Sequence, residues 1–341
     1  MIKVLVVDDS PLIQELMINI LNSDNDIQVI GVVNSGEKAV KFLEKNKPDI
    51  ITMDINMPGM NGFEATRRIM EVYPTPIIVI TALFNCKDVD TTFQAMKAGA
   101  LFVIEKPIVA TEDGFRRSSQ EIINMVKIMS EVKVVRRKLR PKDVNTKPLN
   151  KVKNTLSNIR IAAIGVSTGG PPVLQNIFSK IPENIHIPIL VVQHMAPGFI
   201  NELVSWLSQT TKQPIHVATQ GEKALPGHIY FAPDGFHMGI RSNGQIFLSD
   251  TEKENNLKPA VSYLFKSIAN YYGKDSLNIL LTGMGSDGAR ELKVLRDKGA
   301  ITVAQDKETS VVYGMPGEAV KLNAATYVLS PDKIAELFGK L

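Results

Sequence analysis

Short apolar segments that alternate with helix-like segments constrain the fold of this chain most strongly. The first set of strand-like segments covers residues 2–7, 27–33, 49–53, 77–81 and 101–104. Each is mostly β-branched and precedes a stretch with helical character. Such alternation implies a parallel sheet covered on both faces, with ligands bound at the carboxyl ends of the strands. The beginning of the chain therefore predicts a five-stranded parallel α/β domain.

A second set of strand-like segments follows further along the chain. These segments cover residues 159–165, 188–193, 228–232, 277–281 and 301–304, and several precede helical stretches. They predict a second α/β domain, doubly wound around a mostly parallel sheet. Turn signals between about 214 and 250 predict short antiparallel pieces there, in the form of a hairpin at the sheet edge.

The two sets are separated by a basic segment that contains two prolines and holds no periodic pattern for long. We predict a first domain over residues 1–125, a solvated linker over 126–157 and a second domain over 158–341. A nucleic-acid-binding arm is the alternative for the basic segment. No aromatic residue is interleaved in it to stack on bases, which disfavours that alternative.

The bulk properties restrict where such a chain works. The net charge of +4 is mild and lies largely in the linker, so the folded parts show no sign of binding nucleic acid. Cys86 is the only cysteine, which excludes an intramolecular disulfide and suits a reducing compartment. No apolar run approaches the roughly 20 residues that span a bilayer, and the first residues lack a signal-peptide layout. We expect a cytoplasmic protein without membrane insertion.

Polar residues follow the predicted strands of the first domain at the points where the strands end. They are Asp8, Asp9, Asp54, Thr81 and Lys106. Three carboxylates at one sheet edge repel each other unless a cation lies among them, and oxygen ligands favour Mg²⁺. The pattern predicts a site where the ion neutralises a phosphoryl group that the Asp54 carboxylate attacks, while Lys106 pairs with its charge.

A serine flanked by glycines follows the first strand of the second domain. The spacing Gly165-x-Ser167-x-Gly169 is that of a nucleophile elbow, a sharp strand-to-helix turn that exposes a serine hydroxyl. His194 and Asp287 follow later strands of the same domain. A serine needs an imidazole to take its proton and a carboxylate to orient that imidazole, so the three residues predict a site for acyl transfer.

The run from Gly283 to Gly288 also matches a dinucleotide-binding fingerprint, with Asp306 as a candidate ribose-binding acid. A dinucleotide fold needs several further β/α units after its first turn, and too little chain remains for them. We interpret the glycines as a tight turn that places Asp287 and the backbone near Met284 at the mouth of the serine site.

Four segments of the first domain closely resemble a response-regulator receiver domain, over roughly residues 1–125. They are Val7-Asp8-Asp9-Ser10, Met53-Asp54-Ile55-Asn56-Met57-Pro58-Gly59-Met60-Asn61-Gly62, Thr81-Ala82 and Glu105-Lys106-Pro107. The resemblance implies a flavodoxin-like fold in which Asp54 accepts a phosphoryl group from a histidine kinase. It also implies a Mg²⁺ site whose ligands are Asp9, Asp54, the main-chain carbonyl of Asn56 and, through water, Asp8.

The same resemblance gives roles to the remaining strand ends. Thr81 and Lys106 would read out the phosphoryl group, and the Lys106-Pro107 bond is expected to be cis. Relatives often carry glutamate where Asn56 stands. Because the implied ligand is the main chain, this departure changes little.

Four segments of the second domain resemble the chemotaxis protein-glutamate methylesterases, the CheB family. They are Gly165-Val-Ser-Thr-Gly-Gly-Pro171, Val192-Gln-His-Met195, Tyr230-Phe-Ala-Pro-Asp-Gly235 and Leu281-Thr-Gly-Met-Gly-Ser-Asp-Gly288. The resemblance implies that Ser167 is the nucleophile, His194 the general base and later acid, and Asp287 its orienting partner. The oxyanion hole would be the Met284 N–H with help near Thr168.

The family resemblance implies a phosphorylation-activated hydrolase that removes methyl groups from glutamate methyl esters of chemoreceptors and deamidates receptor glutamines. It implies no cofactor in the catalytic domain. Two other functions remain open at this point. One is a serine hydrolase that acts on another ester or amide in a non-chemotaxis two-component pathway. The other is a receiver joined to a binding module such as a transcription regulator, for which no helix-turn-helix pattern is visible.

Overall fold

The computed structural model describes residues 1–81, 89–107, 111–132, 134 and 158–341. The chain forms two compact units, Met1–Lys138 and Leu139–Leu341. Cys86 and most of the predicted linker lie outside the described residues. The precise domain boundaries stay a prediction.

The first unit contains the predicted five-stranded parallel sheet, in the order β2-β1-β3-β4-β5. Its strands are β1 (Ile2–Val7), β2 (Ile27–Val33), β3 (Ile50–Met53), β4 (Ile77–Thr81) and β5 (Phe102–Glu105). Its helices are α1 (Pro11–Asn22), α2 (Gly36–Leu43), α3 (Gly62–Val72), α4 (Val89–Ala98) and α5 (Glu112–Ser130).

Local signals in the sequence explain where these helices begin. The side chains of Ser35, Asn61 and Thr111 each accept a hydrogen bond from the first turn of α2, α3 and α5, respectively. Such caps satisfy backbone N–H groups that have no partner within the helix. Helix α5 continues past residue 125, because apolar residues at helical spacing up to Met129 are buried.

The second unit is built around a seven-stranded parallel sheet in the order β14-β13-β12-β6-β7-β9-β8. Its strands are β6 (Ile161–Val166), β7 (Ile189–Gln193), β8 (Ile215–Val217), β9 (Ile229–Phe231), β12 (Ser276–Leu280), β13 (Ile301–Gln305) and β14 (Tyr327–Leu329). Its helices are α6 (Gly170–Phe178), α7 (Ile200–Ser208), α8 (Val261–Tyr271), α9 (Ala289–Asp297), α10 (Met315–Lys321) and α11 (Pro331–Phe338).

The predicted antiparallel hairpin is present, formed by β10 (His237–Ile240) and β11 (Ile246–Ser249). It is a separate two-stranded sheet and does not extend the edge of the large one. The edge strand of the large sheet is β8, which pairs with β9 in parallel. The ten or so residues between β8 and β9 form a crossover, which parallel pairing requires and a hairpin does not.

The expectation of a cis Lys106-Pro107 bond is also wrong. Within the described ranges, the one cis peptide bond joins Lys258 to Pro259. Most X-Pro bonds favour trans by about 0.5–1 kcal/mol, so the trans form at Lys106 is the ordinary one.

Among the helices that the structure describes, none combines the length and apolar character needed to cross a membrane.

Candidate active site and acidic pocket

The predicted nucleophile, Ser167, is the first residue after β6 and lies on a tight turn into α6. Its N–H donates to the Thr282 carbonyl (3.0 Å), and its carbonyl accepts from the Gly170 N–H (2.9 Å). Gly169 has a φ of +77°. A Cβ at this glycine would lie 2.5 Å from the Val311 Cβ, so both the backbone conformation and the space require glycine. The local structure is that of the predicted elbow.

Neighbouring strands bring His194 to the same edge. Val166 of β6 pairs with Gln193 of β7, so Ser167 and His194 are the first residues past two adjacent parallel strands. The His194 N–H donates to the Val166 carbonyl (2.9 Å). Ser167 and His194 therefore occupy corresponding positions on adjacent strands.

A buried amide joins the two loops. The side-chain amide nitrogen of Gln193, Nε2, donates to the Ser167 carbonyl (3.0 Å) and to the His194 carbonyl (2.8 Å). The sequence motifs predict no separate role for Gln193. The signal available was a polar residue at the end of an apolar strand, and the residue is only 4% exposed. Such a residue needs hydrogen-bond partners, which here are the two loop carbonyls.

Asp287 contacts the imidazole directly. Its Oδ2 lies 3.1 Å from His194 Nε2, and both side chains are largely buried. The ring does not aim its N–H along this line, so the two atoms are in contact without an aligned hydrogen bond. Since Nε2 faces the carboxylate, Nδ1 is the nitrogen left to serve Ser167. Nδ1 bonds no described residue, and no hydrogen bond joins it to the Ser167 hydroxyl, a link that commonly tightens only with substrate bound.

Several donors hold Asp287 in its charged form. Its carboxylate accepts from the N–H groups of Val261 (2.6 Å) and Ser262 (3.2 Å), which are the first residues of α8, and from Asn255 Nδ2 (2.8 Å). Burial raises the pKa of this carboxyl, but contact with His194 and these donors outweigh burial and lower the pKa to about 2. Asp287 is therefore ionised at any physiological pH.

The two predicted oxyanion donors lie on segments that touch the serine. A Cβ at Gly283 would lie 2.7 Å from the Ser167 Cβ, so the backbone just before Met284 packs against the nucleophile. The Thr168 residue adjoins the serine, and its carbonyl accepts from the Thr282 hydroxyl (3.0 Å). The backbone N–H groups of Thr168 and Met284 donate to no described residue, which leaves both available for an oxyanion.

The dinucleotide alternative finds no support in this geometry. The run from Gly283 to Gly288 is the turn that carries Asp287 to His194. Asp306, the candidate ribose ligand, accepts hydrogen bonds from the N–H and hydroxyl of Thr309 and closes a local turn.

The predicted acidic pocket lies at the strand ends of the first unit. Carboxylate oxygens of Asp8, Asp9 and Asp54 all lie within 4.8 Å of one another. Lys106 Nζ lies 2.7 Å from Asp8 Oδ2 and 3.1 Å from Asp54 Oδ1. An all-oxygen donor set of this charge fits a hard divalent cation.

Burial and charge act against each other in this pocket. Burial and the charge of Asp8 raise the pKa of Asp54, although Lys106 opposes them. Burial lowers the pKa of Lys106, but its contacts with both carboxylates outweigh burial and leave that pKa raised.

The Thr81 hydroxyl is buried and bonds no other described group, so it is free to bind an added oxygen atom. Asn56 lies two residues after Asp54 with an exposed side chain, and its part in metal binding stays a prediction.

Comparison with protein families gives two matches. Residues 162–338 match the model of the CheB methylesterase family, and residues 4–113 match the response regulator receiver domain. The resemblance predicted from the motifs is confirmed on both halves of the chain.

Curated relatives match over the whole length. A protein-glutamate methylesterase/protein-glutamine glutaminase of Syntrophus aciditrophicus is 52% identical, over 100% of this chain and 98% of the relative. One of Pyrococcus abyssi is 37% identical, over 98% of this chain and 92% of the relative. Among solved structures, the CheB methylesterase catalytic domain of Thermotoga maritima matches with a TM-score of 0.52 and 40% identity, covering 54% of this chain and 99% of that domain.

Proposed function

This chain belongs to the CheB methylesterase family and carries a receiver domain, and from that premise we propose a hydrolase of glutamate methyl esters and glutamine amides in chemotactic adaptation. The observation that carries the proposal is the contact of Asp287 with His194, beside the Ser167 elbow. The family match does not favour the two alternatives, a hydrolase of a non-chemotaxis pathway and a receiver-linked binding module.

The arrangement supports a two-step acyl transfer. The Ser167 oxygen attacks the ester carbonyl while His194 Nδ1 takes the hydroxyl proton, and the ionised Asp287 stabilises the resulting imidazolium. The Thr168 and Met284 N–H groups hold the oxyanion. As the intermediate collapses, His194 gives its proton to the departing methoxide, which leaves as methanol.

Water completes the cycle in the second step. His194 takes a proton from a water molecule, whose oxygen attacks the acyl-enzyme carbonyl, and the proton then returns to the Ser167 oxygen as glutamate is released. A glutamine substrate follows the same path with ammonia as the leaving group. The second activity therefore needs no further catalytic residue.

Control of the hydrolase would lie in the acidic pocket. We assign Asp54 as the phosphorylated residue, and Asp8, Asp9, Asp54 and the Asn56 carbonyl as the groups that would hold Mg²⁺. When bound, the ion would neutralise charge on the incoming phosphoryl group. Lys106 would then pair with a phosphoryl oxygen, and the Thr81 hydroxyl would donate a hydrogen bond to another.

The partners and location follow from this function. The substrates would be methyl-accepting chemoreceptors, and the phosphodonor would be a chemotaxis histidine kinase. We propose that phosphorylation and hydrolysis both take place in the cytoplasm, whose reducing conditions suit a chain with a single cysteine. We propose no nucleic-acid partner.

Methanol release from methylated receptor membranes tests the proposal. Ser167→Ala should reduce release by about 10⁵- to 10⁶-fold, because the nucleophile is lost. Ser208→Ala, at an exposed serine on α7, should behave as the unchanged protein. Asp54→Asn should keep basal release and lose stimulation by a phosphodonor with Mg²⁺. Full release by Ser167→Ala would contradict the assignment of the site.

A further inference from the structure

Thr282 is a fully buried polar residue next to the serine site, to which neither the sequence motifs nor the acyl-transfer chemistry gives a role. It lies between the end of β12 and Gly283. Its N–H donates to Gln305 Oε1 (2.8 Å), and its carbonyl accepts from the Ser167 N–H (3.0 Å). Both of its main-chain groups are thus held in place, one of them by the nucleophile.

The Thr282 hydroxyl joins two other segments of the chain. It accepts from the Val312 N–H (2.9 Å). Its single proton can go to one of two carbonyls, that of Thr168 (3.0 Å) or that of Val312 (3.2 Å). The Thr168 oxygen is the nearer, and it lies 114 residues away along the chain.

The segment on the other side of this hydroxyl carries the second oxyanion donor. The Gly283 N–H donates to the Val312 carbonyl (3.0 Å), and the Gly283 carbonyl accepts from the N–H groups of Gly314 (3.1 Å) and Met315 (2.9 Å). Met284 follows directly. The Thr282 side chain therefore bonds Thr168, which contributes one oxyanion donor, and Val312. Val312 in turn bonds Gly283, the residue before the other donor, Met284.

We propose that Thr282 is the positioning residue of the oxyanion hole, whose hydroxyl fixes the Thr168 turn relative to the Met284 turn. This inference rests on the proposed hydrolase function. Donors for an oxyanion must be held within a few tenths of an ångström of their place before the reaction, because they act by preorganisation. A hydroxyl that bonds both turns supplies such a constraint, and a methyl group in its place supplies none.

Replacing Thr282 by valine removes the hydroxyl while leaving the volume of the side chain almost unchanged. Thr282→Val leaves the Thr168 carbonyl and the Val312 N–H buried without their partner. Loss of one oxyanion donor costs about 10²- to 10³-fold in kcat, so a displaced donor should cost about 10- to 100-fold, with KM within about twofold. Thr282→Ser keeps the hydroxyl and should restore most of kcat.

A second buried threonine provides the matched control. Thr302 of β13 is equally buried, and its hydroxyl bonds the hydroxyl (3.0 Å) and the N–H (3.0 Å) of Thr326. Thr302→Val should lower thermal stability to a similar extent and leave kcat within about twofold. The pH profile of kcat/KM should be the same in both valine variants, since the contact of His194 with Asp287 is untouched.

Equal kcat for Thr282→Val and Thr302→Val would overturn the inference, and so would a loss confined to KM. Fluorescence of Trp206, the only tryptophan, reports whether the catalytic unit has folded. If Thr282→Val does not fold, Thr282→Cys replaces it, because a thiol is a weak donor, and the same criterion applies. Ser167→Ala is measured beside them: if it stays active the proposed function fails, whereas its inactivity with a normal Thr282→Val defeats this inference alone.

Discussion

Two buried aspartates, one in each unit, lie at the carboxyl edge of a parallel sheet and differ in the direction of their pKa. Contact with His194 and several hydrogen bonds outweigh burial at Asp287 and lower its pKa to about 2. At Asp54, burial and the neighbouring Asp8 outweigh Lys106 and raise the pKa. Burial is common to both, so the donors and the neighbouring charges around each carboxylate decide the direction of its pKa shift.

The difference matches the work proposed for each residue. Asp287 has to stay charged to orient and stabilise an imidazolium, and the first turn of α8 supplies N–H groups that bind an anion. Asp54 has to react, and a carboxylate with few donors keeps lone pairs free for a phosphorus atom. Its charge is costly until a cation compensates it. The sheet edge provides the position in both units, and the surrounding donors determine the chemistry.

The largest effect should come from removing the charge of Asp287. Asp287→Asn retains an oxygen for the first turn of α8 but loses the negative charge beside His194, and the matching change in serine proteases lowers kcat by about 10⁴-fold. We expect a loss of about 10³- to 10⁴-fold in methanol release. Asp306→Asn, at the aspartate that follows the neighbouring strand β13, should stay within twofold. Comparable losses in the two variants would show that Asp287 has no special role.

Acid should expose the same difference as a loss of stability. The pKa of Asp287 is about 2 in the folded unit against an ordinary value of 3.8. The stabilisation is therefore complete above pH 5 and disappears as the pH falls towards 2, by roughly 2 kcal/mol. Urea unfolding followed by Trp206 fluorescence should show this slope, and Asp287→Asn should flatten it. An unchanged slope in the variant would assign the acid sensitivity to other groups.

For Asp54 the effect of ionisation on stability has the opposite sign. Its pKa is raised in the folded unit, so its ionised form destabilises the fold, and Asp54→Asn should stabilise the first unit at pH 7. The gain should vanish as the pH falls through the raised pKa towards 3.8. Hydrogen exchange of the β3 amides, measured in EDTA, would follow this unit alone. Added Mg²⁺ should narrow the difference by stabilising the unchanged protein, and faster exchange in Asp54→Asn at pH 7 would contradict the account.

The smallest effect concerns a single donor to Asp287. Asn255 adopts a φ of +52° and donates to Asp287 Oδ1 (2.8 Å), while Asn256 adopts a φ of +63° outside this contact. Glycine tolerates both conformations, so each Asn→Gly change removes a side chain without backbone strain. Asn255→Gly should lower kcat/KM about 3- to 10-fold, as expected for one partly exposed bond to a charged group. Asn256→Gly should change kcat/KM less than twofold. Equal effects of the two variants would show that the hydrogen bond from Asn255 to Asp287 does not contribute to catalysis.

The sequence predicted the residues whose position depends on the strand pattern alone. Ser167, His194 and Asp54 were predicted because parallel strands end at one edge, so a polar residue just past a strand has a known location. The pairing of β6 with β7 places the first two at the same sheet edge.

The residues that the pattern could not predict act through contacts between distant segments. Thr282 bonds Thr168 across 114 residues, and Gln193 reaches the next strand. The hydrophobic periodicity of a sequence does not indicate which buried hydroxyl or amide group will hydrogen-bond which carbonyl. Strands β8 and β14 have three residues each and are only partly buried, so they lack the continuous apolar run that marks the equally short β9.

In the proposed mechanism, Ser167 is a nucleophile activated by His194. Covalent labelling by a fluorophosphonate, read by peptide mass spectrometry, tests it most directly. We predict a single adduct on Ser167 of the full chain, formed at least 100-fold more slowly in His194→Ala, in line with the contribution of about 10²- to 10⁴-fold from a general base. An adduct on another residue, or labelling of Ser167 at an unchanged rate in His194→Ala, would contradict the account.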